Sequence, residues 1–182
     1  MSKKALIIID IQNDYFPGGK WTLANADAAA DNAAKALAAA RARGDLVIHV
    51  RHEFESADAP FFAPGSEGAR IHPKLAPQGD EAVVLKHKVN AFLDTPLQSL
   101  LEQQRVSELT VVGSMSHMCI DAAVRAAADL GYPVKVLHDA CATRDLEFDG
   151  VTIAAAQVHA SYMASLAFAY AEVLSTEAWL AA

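Results

Sequence analysis

Short unbroken apolar runs alternate along this chain with longer, alanine-rich stretches in which polar residues recur at helical spacing. Ala5–Ile9 is apolar at every position rather than at every second one, the pattern of a strand buried on both faces. Similar runs follow at Leu46–Val50, Ala82–Leu85, Leu109–Val112 and Val134–Leu137, and a sixth strand is expected around Tyr170–Leu174. Between them, Asp27–Arg43 reads as a helix, with Asp27 as its cap and Gly44 as its stop. Thr95-Pro96-Leu97-Gln98 combines a capping box with proline at the first helical position. A further helix spans about Met118–Leu130 and stops at Gly131, with Pro133 just beyond. Another lies near Thr152–Ala164, and a short one starts at Thr176. Strands separated by helices imply parallel pairing with right-handed crossovers. The expected fold class is therefore α/β: a three-layer α/β/α sandwich around a mainly parallel six-stranded sheet, Rossmann-like, in one domain over residues 1–182. The segment from Arg51 to about Asp80, holding Pro60, Pro64, Pro73, Pro77, Gly65, Gly68 and Gly79, reads as a long loop, and such loops are commonly functional.

Composition narrows the function classes. Of 182 residues, 53% are hydrophobic and 20% charged, enough to fill a core and incompatible with a disordered or fibrous chain. Fifteen basic and 22 acidic side chains give a net charge of −7 with no basic cluster, which argues against nucleic acid as a partner. Two cysteines make no disulfide framework, and the first apolar run is too short for a signal-peptide core, so a cytoplasmic location is expected. Gly150–Ala171 carries no charge, but Gln157, His159, Ser161 and Ser165 interrupt it. It reads as a buried or subunit-facing helix rather than a membrane span. A homo-oligomer, dimer or tetramer, is expected, with His159 and Tyr162 on that helix at a subunit interface.

In parallel sheets of this kind ligands bind beyond the carboxyl ends of the strands, so residues there are the first candidates for chemistry. Asp10 directly follows three isoleucines at the end of the first strand, where an unpaired carboxylate costs several kcal/mol to desolvate. Lys86 ends the third strand; Lys88 has the same parity, and alternation does not separate the two. Cys119 follows the fourth strand near a helix start, where the helix dipole favours thiolate and backbone N–H groups can face an oxyanion. Cys141 follows the fifth strand and is its equal by position. An acid, a lysine and a thiol at neighbouring strand ends suit nucleophilic hydrolysis: the carboxylate takes the thiol proton, the ammonium stabilises negative charge, and sulfur attacks a carbonyl carbon.

These segments resemble a known family. Leu6-Ile7-Ile8-Ile9-Asp10-Ile11-Gln12-Asn13-Asp14-Tyr15-Phe16 is similar to the opening of isochorismatase-like cysteine hydrolases, which include nicotinamidases, N-carbamoylsarcosine amidase and isochorismatases. Lys86-His87-Lys88-Val89-Asn90-Ala91-Phe92, with Thr95 and Leu97, resembles the family's lysine segment. Gly113-Ser114-Met115-Ser116-His117-Met118-Cys119 resembles its nucleophile loop. The resemblance spans roughly Leu6–Leu174. It implies a triad of Asp10, Lys86 and Cys119, with Lys86 preferred over Lys88, a covalent thioester intermediate and no catalytic role for Cys141. It also implies a cis Ser114–Met115 peptide that aims the N–H groups of Met115 and Cys119 at an oxyanion.

Two departures refine the expectation. Metal-dependent nicotinamidases carry an Asp-x-His pair after the second strand, where this chain has Arg51-His52-Glu53 and an isolated His72, so neither a metal nor another cofactor is expected. Members that hydrolyse the isochorismate vinyl ether need no thiol nucleophile, so Cys119 favours cleavage of a C–N bond in a small amide or carbamoyl compound. The alternatives are vinyl-ether hydrolysis with Asp10 as the acid, and a catalytically silent binding member. Phe16, Trp21, His52, Phe54, Phe61, Phe62, Asn90, Phe92 and His117 are the candidate substrate contacts, as they lie in segments converging on one sheet edge. His49 and His138 read as structural.

Overall fold

The computed structural model describes residues 3–182; the first two positions of the expected domain lie outside them. Six strands form one parallel sheet: β1 (Lys3–Ile9), β2 (Leu46–His52), β3 (Ala82–Lys86), β4 (Val106–Ser114), β5 (Val134–Ala142) and, after two short strands, β8 (Glu172–Leu174). Their order is β3-β2-β1-β4-β5-β8. Helices α1 (Ala26–Arg43) and α5 (Thr176–Ala181) cover one face, and α2 (Leu97–Gln103), α3 (Asp121–Asp129) and α4 (Ala155–Ala169) the other. This is the expected α/β three-layer sandwich. β1 shows why its sequence is apolar throughout: Leu6 and Ile8 enter the core under α1, while Ala5, Ile7 and Ile9 enter the opposite core.

The strand order reverses between β1 and β4, which puts the switch point, and with it the expected ligand crevice, beyond Ile9 and Ser114. Gly113 lets the two strands close there. Its φ is +132°, and a Cβ would stand 1.9 Å from the Ile9 carbonyl oxygen.

Several boundaries differ from the sequence reading. α1 starts one residue earlier than expected, after Asn25 at φ +58°, a left-handed conformation asparagine tolerates. Asp27 lies inside the first turn rather than at the cap and meets Lys74 at 3.4 Å. The capping box at Thr95 does not close: Pro96 occupies the cap, and the Gln98 amide donates to Glu102 instead of reaching back. β5 continues to Ala142, because its pairing with β4 resumes at Gly113–Cys141 after an irregularity. Cys141 is therefore within the strand, not beyond it. The helix expected from Thr152 begins at Ala155, since Val151–Ile153 (β7) pairs antiparallel with Leu146–Phe148 (β6). Asp149-Gly150 joins them with φ +50° and +75°, the two-residue hairpin turn that an Asp-Gly pair signals. Among the described residues no helix is long and apolar enough to cross a membrane.

Candidate active site

Three strand ends deliver three ionisable groups to one point. Asp10 leaves β1 in a left-handed conformation (φ +52°), with its N–H donating to the Val50 carbonyl at 2.9 Å. Lys86 closes β3 and pairs in register with His52 at the end of β2. Cys119 sits in a π-turn, Ser116–Ile120, that precedes α3, so the nucleophile segment is not the start of one continuous helix. The N–H groups of Met118 and Ile120 both donate to the Met115 carbonyl, at 3.0 and 3.2 Å, which folds the turn around the thiol. The Ser114–Met115 peptide leading into it is cis.

The Lys86 ammonium is the hub. Its Nζ lies 2.8 Å from Asp10 Oδ2 and 3.2 Å from Cys119 Sγ, with both Asp10 and Lys86 at 0% exposure. It also donates to His52 Nδ1 at 3.0 Å and to the Lys88 carbonyl at 3.1 Å. Lys88 thus takes part through its backbone, while Lys86 supplies the charge. The contact with Asp10 is an ion pair whose angles fall outside those of an aligned hydrogen bond.

Burial works against the Lys86 ammonium, but the Asp10 carboxylate beside it wins and its pKa stands above the ordinary lysine range. Burial pushes the Cys119 thiol well above the usual thiol range, and the Asp10 charge pushes the same way against Lys86. The resting sulfur is therefore a thiol, which corrects the expectation that a helix dipole would hold it as thiolate. Burial, with Lys86 adding to it, lowers His52 to about 4, so its imidazole is neutral at neutral pH.

A cavity of about 560 Å³ is lined by Met115 and Met118 of the nucleophile loop and by Trp21, Phe61 and His117, while Asp10, Lys86 and Cys119 are not among the residues that line it. His117 is fixed by a 2.6 Å hydrogen bond between Nδ1 and Thr143 Oγ1. Of the candidate contacts, Trp21, Phe61 and His117 line the cavity, and Phe54 stands behind Phe61 in an edge contact at 5.1 Å. The other five, Phe16, His52, Phe62, Asn90 and Phe92, do not line it. Phe62 is wholly buried against Tyr15, and Phe16 stacks on His72 at 3.8 Å within the core. Phe92 packs on the opposite core, and Asn90 turns its Oδ1 back to accept from the Phe92 N–H. Loop aromatics that anchor the loop to the core have the same sequence signature as those that face a ligand.

The sequence reading missed Arg144, Met118 and Thr152 in the cavity wall. Arg144 lies over the Trp21 ring at 4.2 Å, and Trp21 in turn stacks on Phe61 at 4.7 Å. Extending the strand-end rule to the residues after β5 would have found Arg144. Asp14 was also overlooked: its carboxylate accepts from the N–H groups of Phe62 (2.7 Å) and Lys20 (3.1 Å) and ties together the two loops that form the cavity's aromatic wall. Among the described residues, no group of three or more His, Cys, Asp or Glu side chains is placed to hold a metal ion, and the His52 Nδ1 lone pair is already taken by Lys86.

Comparison with known proteins identifies the family. The isochorismatase domain model matches residues 4–178. The uncharacterized isochorismatase family protein YddQ of Bacillus subtilis is 48% identical over 97% of this chain and 98% of its own length. A streptothricin hydrolase of Streptomyces noursei is 36% identical over 79% of this chain and 51% of that protein. More distant relatives are the nicotinamidase of Escherichia coli, 28% identical over 78% of this chain and 84% of its own, and a ureidoacrylate amidohydrolase of Variovorax paradoxus, 27% identical over 76% and 68%. An isochorismatase-type structure from Oleispira antarctica superposes with a TM-score of 0.96, at 54% identity over 100% of this chain and 97% of that one. Sequence, fold and relatives agree, and the chain belongs to the isochorismatase family of hydrolases.

Proposed function

We propose that this enzyme is a cysteine amidohydrolase that cleaves a C–N bond of a small amide or carbamoyl compound through an acyl-enzyme on Cys119. The observation that carries the reading is the shared nitrogen: Lys86 Nζ lies within 3.2 Å of both Asp10 Oδ2 and Cys119 Sγ. Asp10, whose oxygens have no competing hydrogen bonds, takes the thiol proton as sulfur attacks the carbonyl carbon. Lys86 stabilises the thiolate, and the N–H groups of Met115 and Cys119 receive the oxyanion. Collapse of the tetrahedral adduct returns the proton from Asp10 to the leaving nitrogen. Asp10 then activates a water that hydrolyses the thioester and releases the acid, which restores the thiol.

The cavity supports a substrate with two unlike ends. Met115, Met118, Trp21 and Phe61 supply apolar wall, while Arg144 supplies a cation that has no ion-pair partner among the described residues. The adjacent Asp145 is occupied in accepting from the Ala155 N–H at 2.7 Å. We therefore assign Arg144 to a carboxylate at the end of the substrate remote from the scissile bond.

The experiment is a screen of small amides and ureido acids for ammonia or amine release, repeated with Cys119→Ala and coupled to mass spectrometry of the trapped enzyme. The expected result is an acyl adduct on the Cys119 peptide and loss of turnover in the variant. Ammonia or amine release that survives Cys119→Ala, without adduct, would overturn the nucleophile assignment; turnover of a vinyl ether in place of every amide, retained in Cys119→Ala, would replace this reading with vinyl-ether cleavage in which Asp10 acts as the acid.

A further inference from the structure

His52 is built into the site more firmly than a substrate contact requires. Gln12, fully buried, clamps its backbone from both sides: Gln12 Nε2 donates to the His52 carbonyl (2.8 Å) and to Ala69 (2.8 Å), and Gln12 Oε1 accepts from the His52 N–H (2.7 Å). The ring is wedged edge-on to Phe54 at 4.7 Å, with Phe62 beyond at 6.3 Å. An ammonium only donates, so Nδ1 is the acceptor of the 3.0 Å bond from Lys86, and the neutral ring carries its proton on Nε2. That Nε2 is buried without a partner among the described residues, an arrangement that opposes folding.

The donor arithmetic at Lys86 gives this arrangement a purpose. Three N–H groups meet three aligned acceptors: His52 Nδ1, the Lys88 carbonyl and Cys119 Sγ. Asp10 Oδ2, although nearest at 2.8 Å, is left with charge alone. We infer that His52 is a positioning residue: by occupying one N–H of Lys86 with a neutral acceptor, it aims a second at the sulfur and keeps the ammonium from hydrogen-bonding Asp10, so that the carboxylate is free to take the thiol proton. When that proton moves from Sγ to an Asp10 oxygen, no other atom need be displaced, and the thiolate finds a Lys86 N–H already directed at it. This inference rests on the proposed triad.

Alkylation of Cys119 by iodoacetamide tests it without knowledge of the substrate. On the rising limb below the thiol pKa the rate tracks the thiolate fraction, and peptide mapping separates Cys119 from Cys141. The titratable groups that act on the sulfur are Asp10, Lys86 and Tyr15, with His52 touching Lys86. His52→Phe keeps the ring volume and removes the acceptor. The released N–H should turn to Asp10 and blunt its repulsion of the thiolate, speeding alkylation by about tenfold, one pH unit of thiol pKa. His52→Asn loses ring volume but keeps an oxygen near the place of Nδ1, and its rate should stay within about twofold of wild type. A purely packing role predicts the reverse order, with the Asn variant more perturbed. A His52→Phe rate equal to wild type, or an Asn variant at least as fast as the Phe variant, overturns the inference. If His52→Phe gives no cooperative thermal transition, His52→Met takes its place. Lys86→Met is run alongside and should slow alkylation. If it does not, the triad reading itself fails; if Lys86→Met slows alkylation and His52→Phe changes nothing, only the role of His52 falls.

Discussion

Asp10→Asn should make the nucleophile more ionised and the enzyme less active. In the native site Asp10 Oδ2 and Cys119 Sγ lie 2.8 and 3.2 Å from the same Lys86 nitrogen, and burial and the Asp10 charge together hold the sulfur as a thiol. The two acceptors are thus no more than about 6 Å apart. At an effective dielectric of ~20 a carboxylate at that distance opposes thiolate by about 3 kcal/mol, or roughly two pH units. The asparagine variant removes that repulsion and leaves Lys86 with the sulfur as its sole anionic partner in the cluster. Alkylation at a fixed pH on the rising limb should therefore accelerate by about a hundredfold. Stability should fall by less than the ~3–5 kcal/mol expected for a stranded buried charge, because the thiolate replaces the carboxylate as counterion. Turnover should nevertheless collapse, since nothing remains to carry the proton to the leaving nitrogen or to activate water. The assay is paired: alkylation rate against pH with the adduct mapped to Cys119, and amide hydrolysis on the same preparation. An unchanged alkylation rate, or hydrolysis within a few-fold of wild type, would refute the reasoning.

Other consequences are equally direct. Arg144→Met should raise KM for carboxylate-bearing amides by about tenfold to a hundredfold, the worth of a hydrogen bond to a charged group, and leave neutral amides unaffected in steady-state kinetics. Glu81, held to about 2 chiefly by its hydrogen bond from Arg41 (2.7 Å), should stabilise the fold fully above its ordinary 4.5 and lose that contribution as pH falls toward 2. Glu81→Gln should therefore flatten the acid limb of the urea-unfolding midpoint in that window; an unchanged slope would remove Glu81 as its cause. His52, lowered from 6.5 to about 4, binds its proton more readily in the unfolded chain, so stability should also decline from pH 6.5 downward and level off below 4.

Much of the site was legible because the α/β pattern says where to look. Asp10 follows one apolar run, but position left Lys86 level with Lys88 and Cys119 level with Cys141, and only the resemblance to the family's segments chose between them. Arg144 was overlooked although it follows the fifth strand, because attention there stopped at Cys141. Phe16 and Phe62 were indistinguishable from Trp21 and Phe61: in a loop of irregular conformation no period tells which aromatic turns inward. The Asp149-Gly150 turn was present in the sequence and was lost inside an uncharged stretch that reads as one helix.

By itself, the sequence determined the layers, the parallel sheet and the places where its strands end, because burial on both faces writes an unbroken apolar run and the chain must leave the core where that run stops. Only the tertiary structure decided how those residues behave. Proton affinity and hydrogen-bond allocation depend on neighbours that are dozens of positions away: β2 brings His52 to Lys86, Lys86 then shares its protons among His52, Lys88 and Cys119, and Asp10 is left with charge but no hydrogen bond. That arrangement of four acceptors around three protons is made by residues far apart along the chain, and no local pattern encodes it.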